Sequence, residues 1–304
     1  MTGFSIVVCT HNGASRLPGV LEYLAALRYP AGQLQLVIVD NNSEDATGRV
    51  ARDTWDALGA PFPQALIREK QPGLANARRA AALLASRDWL LFCDDDNLLD
   101  PDYLAVAASV LTEHDDIGVL GGQGLPRFSA EVPNWFYTFA DGFAVGVQAA
   151  ASGDISDRGF VWGAGAIMRR DFLVGCYRGG VAPLLSGRRG ARTLSGDDSE
   201  LCKWYLAAGY RLWYEERLLF HHLIPAQRLR RDYLESLLQG FEAQRNVLKE
   251  YDFLITLAAL RRRPHQDLLR WLSHEVARFV YPSRIRAAAR RNLAALPARG
   301  DSSS

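Results

Sequence analysis

Phe4-Ser-Ile-Val-Val-Cys9 is an almost continuous apolar run bounded by turn residues. A strand buried on both faces needs such a run, and strands of that kind belong to parallel sheets covered by helices. The segments that follow keep to that plan. Leu17, Val20, Leu21, Leu24 and Leu27 recur at helical spacing, and Leu34-Gln-Leu-Val-Ile-Val39 is a second apolar run ending at Asp40. Helical patterns over 47–58, 74–86 and 101–113 alternate with strand-like runs over 65–68, 89–93 and 117–121. The alternation predicts βαβ units with right-handed crossovers, hence a Rossmann-like α/β fold whose mostly parallel central sheet is flanked by helices.

Past Gly121 the pattern dissolves. Residues 122–159 hold Pro126, Pro133 and the aromatics Trp135, Phe136, Tyr137 and Phe139, and read as an irregular, substrate-side segment. A weakly alternating strand is expected over 160–169, a glycine- and arginine-rich mobile loop over 179–196, a helix over 198–208 and a strand over 210–214. Beyond Leu229 the chain reads as helical almost to its end, with a disordered tail over 299–304. The expected organisation is a domain over 1–228, divided near residue 121, and a helical C-terminal extension over 229–298.

Composition limits the function classes. In 304 residues the net charge is only +1, so no global field points to nucleic acid. Apolar residues make up 48% of the chain, enough for a sizeable core. Cys9, Cys93, Cys176 and Cys202 show no metal-ligand spacing, and Cys9 and Cys93 fall at the ends of core strands, where a thiol behaves as a small hydrophobe. This usage fits a reducing cytoplasm. The start, Met1-Thr-Gly-Phe4, lacks the basic and apolar regions of a signal peptide, and no apolar run reaches spanning length.

The polar clusters lie where an open parallel sheet binds ligands, beyond the carboxyl ends of its strands. The first strand leads into Thr10-His-Asn-Gly13, the second into Asp40-Asn-Asn-Ser-Glu-Asp45, the third into Lys70-Gln-Pro-Gly73, and the fourth into Asp94-Asp95-Asp96. Three adjacent carboxylates repel one another unless a cation neutralises them. After a core strand, a hard divalent cation shared with a phosphate is the natural neutraliser. A cap and turn before Asp100-Pro101 is the plainer reading, but it accounts for one or two of the aspartates. Gly73 to Arg78 opens a helix whose N-terminus suits a diphosphate, with Arg78 either reaching that anion or lying on a solvated face. Asp40 either accepts from a base or ribose or forms a turn. Asp197 and Glu200 read as a helix cap, and a carboxylate here, beside Gly196, also suits a general base. His221-His222 follows strand-like Leu218-Leu-Phe220 and either completes an aspartate-held metal site or lines a turn.

The ordered series resembles family 2 glycosyltransferases. It consists of Ile6-Val-Val-Cys-Thr-His-Asn12, Val37-Ile-Val-Asp-Asn-Asn-Ser43 with Asp45, Gly73 to Arg78, Phe92-Cys-Asp-Asp-Asp96, Gly196-Asp-Asp-Ser-Glu-Leu201 and His222, and spans about residues 4–228. The resemblance implies the GT-A fold, a nucleotide-sugar donor, Mg2+ or Mn2+, and inversion at the anomeric carbon, with 1–228 as the catalytic domain, its half over about 1–121 binding the nucleotide and its half over about 122–228 facing the acceptor. It implies that Thr10 and Asn12 lie in the nucleotide loop, that Asp40 holds the base, and that Arg78 lies near the nucleotide. Asp94 and Asp95 would fall on the donor side of a D-x-D motif, with Asp96 and His222 holding the metal. Asp198 matches the catalytic base, but Asp197 stands where the family carries glutamate, so a shift of one residue would give that role to Asp197. His221 leaves a similar register choice for the histidine. Processive members carry Q-x-x-R-W; Gln227-Arg228 and Gln244-Arg245 do not fit it, so addition of a single sugar is expected, to a glycan or lipid-linked acceptor of the bacterial surface.

Leu268, Leu269, Leu272, Val276 and Val280 repeat at helical spacing beside Arg270, Trp271 and Arg278. Such a helix either packs on the domain or lies peripherally on the inner face of the membrane. Two rival functions remain at this level. A sugar nucleotidyltransferase would need a glycine-rich first loop clasping a triphosphate, of which Thr10-His-Asn-Gly13 is a poor version. A non-catalytic nucleotide-sugar or glycan-binding protein would keep its role after Asp96→Ala.

Overall fold

The computed structural model describes residues 1–185, 196–262 and 283–299. Strands β1 (Phe4–Thr10), β2 (Leu34–Asp40), β3 (Gln64–Arg68) and β4 (Trp89–Phe92) alternate with helices α1 (Leu17–Ala25), α2 (Thr47–Ala57) and α3 (Leu74–Leu84). A turn then leads into the short β5 (Asn97–Leu99), α4 (Tyr103–Glu113) and the long β6 (Ile117–Phe128). After β7 (Gly153–Asp154) come β8 (Ile167–Arg169), α5 (Arg170–Arg178), α6 (Asp197–Ala207) and β9 (Arg211–Ile224). Two more helices follow, α7 (Arg231–Arg262) and α8 (Ser283–Ala294).

One sheet runs in the order β3-β2-β1-β4-β8-β6-β9-β5, with β7 also on β9. β3, β2, β1 and β4 are parallel neighbours, as the apolar runs imply. The far half is mixed: β8 runs antiparallel to β4 and β6, whereas β6 and β9 are parallel. The first half is buried on both sides. Ile6, Val8, Leu36 and Ile38 meet α1, α2 and α4 on one face, and Val7, Val37 and Val39 meet α3 on the other. By area, each such side chain contributes about 1.5–3 kcal/mol on burial.

Several expectations need correction. Residues 122–128 are not irregular but continue β6. Their glycines misled the pattern, yet a strand must have them here: a Cβ on Gly122 would come within 2.1 Å of the Leu218 carbonyl oxygen, and one on Gly124 within 1.9 Å of that of Ala144. The strand expected over 210–214 extends to Ile224 and takes in His221 and His222. Of the strand expected over 160–169 only β8 is regular, and β5 and α5 were not foreseen. The aromatic run folds into a 3-10 segment, Phe136–Phe143, whose Phe136 and Phe143 form a small third core with Ile224, Leu229 and Leu237.

Helices α7 and α8 share the main core through Val247, Tyr251, Phe253, Leu254 and Ala289. Among the described residues no helix is long and apolar enough to cross a membrane. The centre of the expected loop (186–195), the basic amphipathic segment around Leu268–Val280 and the tail from 300 onward lie outside the described residues.

Candidate active site

A cleft of about 1110 Å3 opens at the carboxyl ends of β1 and β4, with Thr10, Arg78, Asp94, Asp95, Asp96, Asp198 and His222 on its wall. That volume is at the upper end for small-molecule sites and leaves room for two substrates.

The aspartate triplet is the turn from β4 to β5, closed by the Asn97 amide donating to the Asp94 carbonyl at 3.0 Å. Each carboxylate meets a different surrounding. Asp95 Oδ2 accepts from the Thr10 hydroxyl and, at 2.7 Å, from Arg16 Nη2, so both Asp95 and Thr10 are engaged within the protein. Arg16 is itself anchored to the His11 and Asn12 carbonyls at 3.1 and 3.2 Å. Gly13 is required beside this knot, because a Cβ there would lie 1.9 Å from Thr10 Oγ1 and 2.9 Å from Asp95 Oδ2. Asp94 lies on the cleft wall within the electrostatic reach of Arg78.

Asp96 is buried beside His222 because β5 pairs with β9 in a register that sets Asn97 opposite His222. His222 Nε2 stands 3.5 Å from Asp96 Oδ1, and His222 Nδ1 lies 2.6 Å from the Phe143 carbonyl oxygen. A carbonyl only accepts, so Nδ1 carries a proton, and the Arg228 guanidinium, which only donates, meets Nε2 as an acceptor. Strand alternation turns His221 away from the cleft wall and leaves His222 on it. A carboxylate and an imidazole lone pair this close suit a divalent cation, whose adjacent ligands at about 2.1 Å from the ion stand about 3 Å apart. Among the described residues no three His, Cys, Asp or Glu side chains form a metal cage. Magnesium-type sites commonly take one or two protein ligands and draw the rest from phosphate and water, so the pair fits that class. Arg228 Nη2 lies 2.7 Å from Asp96 Oδ2 and its Nη1 3.0 Å from His222 Nε2.

Helix α6 brings in the second acidic cluster. Its entry residue Gly196 has φ +95°, a conformation that glycine adopts at little cost. Asp197 is buried, and its Oδ2 accepts from Arg78 Nη1 at 2.7 Å. Burial and the adjacent Asp198 hold the Asp197 carboxyl above its ordinary range against the pull of Arg78. Arg78 therefore serves as the partner of Asp197, stacked at 5.3 Å over Phe92, and not as a surface arginine. Asp198 faces the cleft, its Oδ2 accepting the Gly163 amide at 2.7 Å and its Oδ1 the Ser199 amide at 2.8 Å.

Asp40 and Asn12 stand behind the wall. Asp40 Oδ1 accepts the Ser43 amide at 2.8 Å, the turn-forming use, and Asn12, at φ +49°, accepts the Glu44 amide at 2.9 Å. Asn41 lines the cleft instead, tying the second loop to the third through Gly73 N and the Gln71 carbonyl, each at 2.8 Å. Sequence reading had not singled out Arg16, Asn41 or Arg228. Asn41 carried a signal, since it follows Asp40 directly; the arginines carried none until their partners were known. Cys9 reaches the wall, but burial pushes its thiol up to about 12, which removes it as a nucleophile.

The opposite wall of the cleft is mostly aromatic and aliphatic. Phe128 ends β6, Phe143 ends the 3-10 segment, Phe160 and Trp162 come from the loop before β8, and Tyr233, Leu237, Phe241 and Leu248 form one stripe of α7. Arg158 braces this wall, stacked 4.1 Å over Phe160 and hydrogen-bonded to Gln148 at 2.6 Å.

A family model described as "Glycosyl transferase family 2" matches residues 5–173, more than half of the chain. A PGL/p-HBAD biosynthesis glycosyltransferase of Mycobacterium bovis is 34% identical over 125 residues, 41% of this chain and 47% of that protein. Poly(ribitol-phosphate) beta-N-acetylglucosaminyltransferase TarS of Staphylococcus aureus is 27% identical over 133 residues, 42% of this chain and 23% of that protein. The aligned parts thus span less than half of either relative. The solved structure of S. aureus TarS 1–349 with UDP-GlcNAc superposes with TM-score 0.58 at 16% identity, over 96% of this chain and 89% of that one. Mannosyltransferase PcManGT from Pyrobaculum calidifontis, solved with GDP-Man and Mn2+, gives TM-score 0.55 at 20% identity, over 97% and 74%. Likeness at that level is likeness of fold, and the fold is GT-A. By the family model and the architecture together, the chain belongs to glycosyl transferase family 2.

Proposed function

We propose that this chain is an inverting, divalent-cation-dependent glycosyltransferase that moves one sugar from a nucleotide-sugar donor to an acceptor hydroxyl. The observation that carries the reading is the shared cleft: Asp198 and the Asp96–His222 pair line one space large enough for donor and acceptor together. Asp198 takes the acceptor proton as the acceptor oxygen bonds to the anomeric carbon from the far side. The bond from that carbon to the diphosphate breaks, and its electron pair leaves with the nucleoside diphosphate. A cation held by Asp96 and His222 would stabilise that leaving charge as a Lewis acid. The ion pair between Arg78 and Asp197 fixes the start of α6 and hence the position of Asp198. Thr10, Arg16 and Asp95 hold the first loop in shape for the nucleotide.

A UDP-sugar is favoured, since TarS, with the same fold, was solved with UDP-GlcNAc. The named relatives, a PGL/p-HBAD biosynthesis glycosyltransferase and a poly(ribitol-phosphate) beta-N-acetylglucosaminyltransferase, support a bacterial cell-surface glycan or lipid-linked acceptor. The aromatic wall beside Asp198 supports an acceptor with an apolar portion. We place the reaction in the cytoplasm, at or near the inner face of the membrane.

Thermal shift with UDP-, GDP- and dTDP-sugars, with and without Mn2+, tests the reading. The largest shift is expected for a UDP-sugar with Mn2+, and it should vanish in Asp96→Ala. No shift with any nucleotide sugar would overturn the assignment. NMR of the product's anomeric proton distinguishes inversion from retention.

A further inference from the structure

The cation cradle already holds a cation of the protein's own. The Arg228 guanidinium reaches Asp96 Oδ2 at 2.7 Å with one nitrogen and His222 Nε2 at 3.0 Å with another. These are the two groups that fit a divalent ion. Nε2 has a single lone pair, and a lone pair that accepts from Arg228 cannot bind a metal at the same moment. Two cations on one carboxylate also repel, more strongly in a buried cleft than in water. Arg228 must therefore leave before a metal ion seats.

Its position allows that. Arg228 lies in the 3-10 turn Ala226–Leu229, between the end of β9 and the start of α7, and its side chain lines the cleft with 20% of its surface exposed. Arg16, the other guanidinium on the triplet, is tied to two loop carbonyls as well as to Asp95, so it is built into the wall. A diphosphate entering the cleft would offer Arg228 a stronger, bidentate partner than Asp96 alone.

We propose that Arg228 is an exchangeable counter-cation. It holds Asp96 and His222 in the empty cleft and yields them to a divalent cation only when a nucleoside diphosphate arrives to take its charge. Cation and nucleotide then bind cooperatively, and the empty enzyme does not collect metal. This rests on the cation site proposed above, and the test separates the two.

The full chain is titrated with Mn2+ by electron paramagnetic resonance, with and without UDP, for wild type, Arg228→Gln, Arg228→Lys and Asp96→Asn. Without UDP, Arg228→Gln should bind Mn2+ at least tenfold more tightly than wild type, and Arg228→Lys should stay within about threefold of it. UDP should raise wild-type Mn2+ affinity at least tenfold and that of Arg228→Gln by much less. Asp96→Asn should lose Mn2+ binding in both conditions. If Arg228→Gln binds Mn2+ no more tightly than wild type while Asp96→Asn still loses it, the exchange is wrong and the cation site stands. If wild type binds Mn2+ neither alone nor with UDP, both fall. Should Arg228→Gln fail to fold, the wild-type titration still decides: Mn2+ affinity unaffected by UDP overturns the exchange.

Discussion

Asp197 and Asp198 are neighbours in sequence with opposite surroundings: Asp197 is locked to buried Arg78 at 2.7 Å, while Asp198 stands on the cleft wall. Successive residues at a helix start point about 100° apart. The first turn of α6 can therefore aim one carboxylate into the core and the next at substrate. A structural pair and a cleft-facing carboxylate are thus set side by side, and Asp198 is the one we propose as the base.

This division predicts different losses. Asp198→Asn should lower kcat by about 10²- to 10⁴-fold, the range for removing a general base, with donor KM nearly unchanged and a modest drop in melting temperature, since its amide group can accept from only one of the Gly163 and Ser199 amides. Asp197→Ala strands a buried arginine and should cost about 3–5 kcal/mol of stability in urea unfolding. Adding Arg78→Ala should then cost less than its single effect, because the two share one interaction. A stable Asp197→Ala protein beside a fully active Asp198→Asn protein would reverse the roles.

The parallel half of the sheet was legible because Ile6, Val8, Leu36 and Ile38 are buried on one face and Val7, Val37 and Val39 on the other, which leaves continuous apolar runs. The mixed half was not. β6 and β9 are long, and β6 carries glycines at 122 and 124 where another backbone crosses closely; glycine reads as a turn when the crossing partner is unknown. The site divides in the same way. Asp96 and Asp198 could be placed at the cleft because one follows β4 and the other lies in the first turn of α6, whereas His222, expected just past a strand, lies inside β9. What Thr10, Asp95 and Arg78 bind depends on contacts across 79–119 residues of chain, which spacing alone cannot supply.

Glu200 predicts a pH dependence of stability. It is fully buried on α6, accepting from the Leu184 and Leu185 amides at 2.9 and 2.7 Å and from the Tyr251 hydroxyl at 2.7 Å. Tyr251 in turn accepts from Asn292 of α8 at 2.9 Å, so Glu200 ties α6 to both C-terminal helices. Burial pushes the carboxyl from 4.5 up to about 7 despite those hydrogen bonds. The folded state then binds more protons than the unfolded one between these values, and stability falls as pH rises through that window. The loss from this group levels off above pH 7, at about 3 kcal/mol. Urea unfolding from pH 4.5 to 8 should show this decline, and Glu200→Gln should be flatter over the same range. Equal slopes in both proteins would remove Glu200 as the cause.

Gly13 offers a test of the first loop that does not touch the proposed chemistry. Its φ is not in the left-handed region, so alanine is tolerated by the backbone itself. The obstacle is space: the new methyl would stand 1.9 Å from Thr10 Oγ1 and 2.9 Å from Asp95 Oδ2. Relief requires separating Thr10 from Asp95 or moving the loop, at a cost of about 1–3 kcal/mol. Because this knot also holds Arg16, Gly13→Ala should weaken UDP binding about tenfold or more, read by isothermal titration, a loss of about 1.4 kcal/mol or more. Thr10→Ala removes the nearest obstructing oxygen, so the double variant Thr10→Ala/Gly13→Ala should be more stable than Gly13→Ala alone. If the two substitutions instead add as independent losses, the crowding around Thr10 is not what keeps glycine at this position.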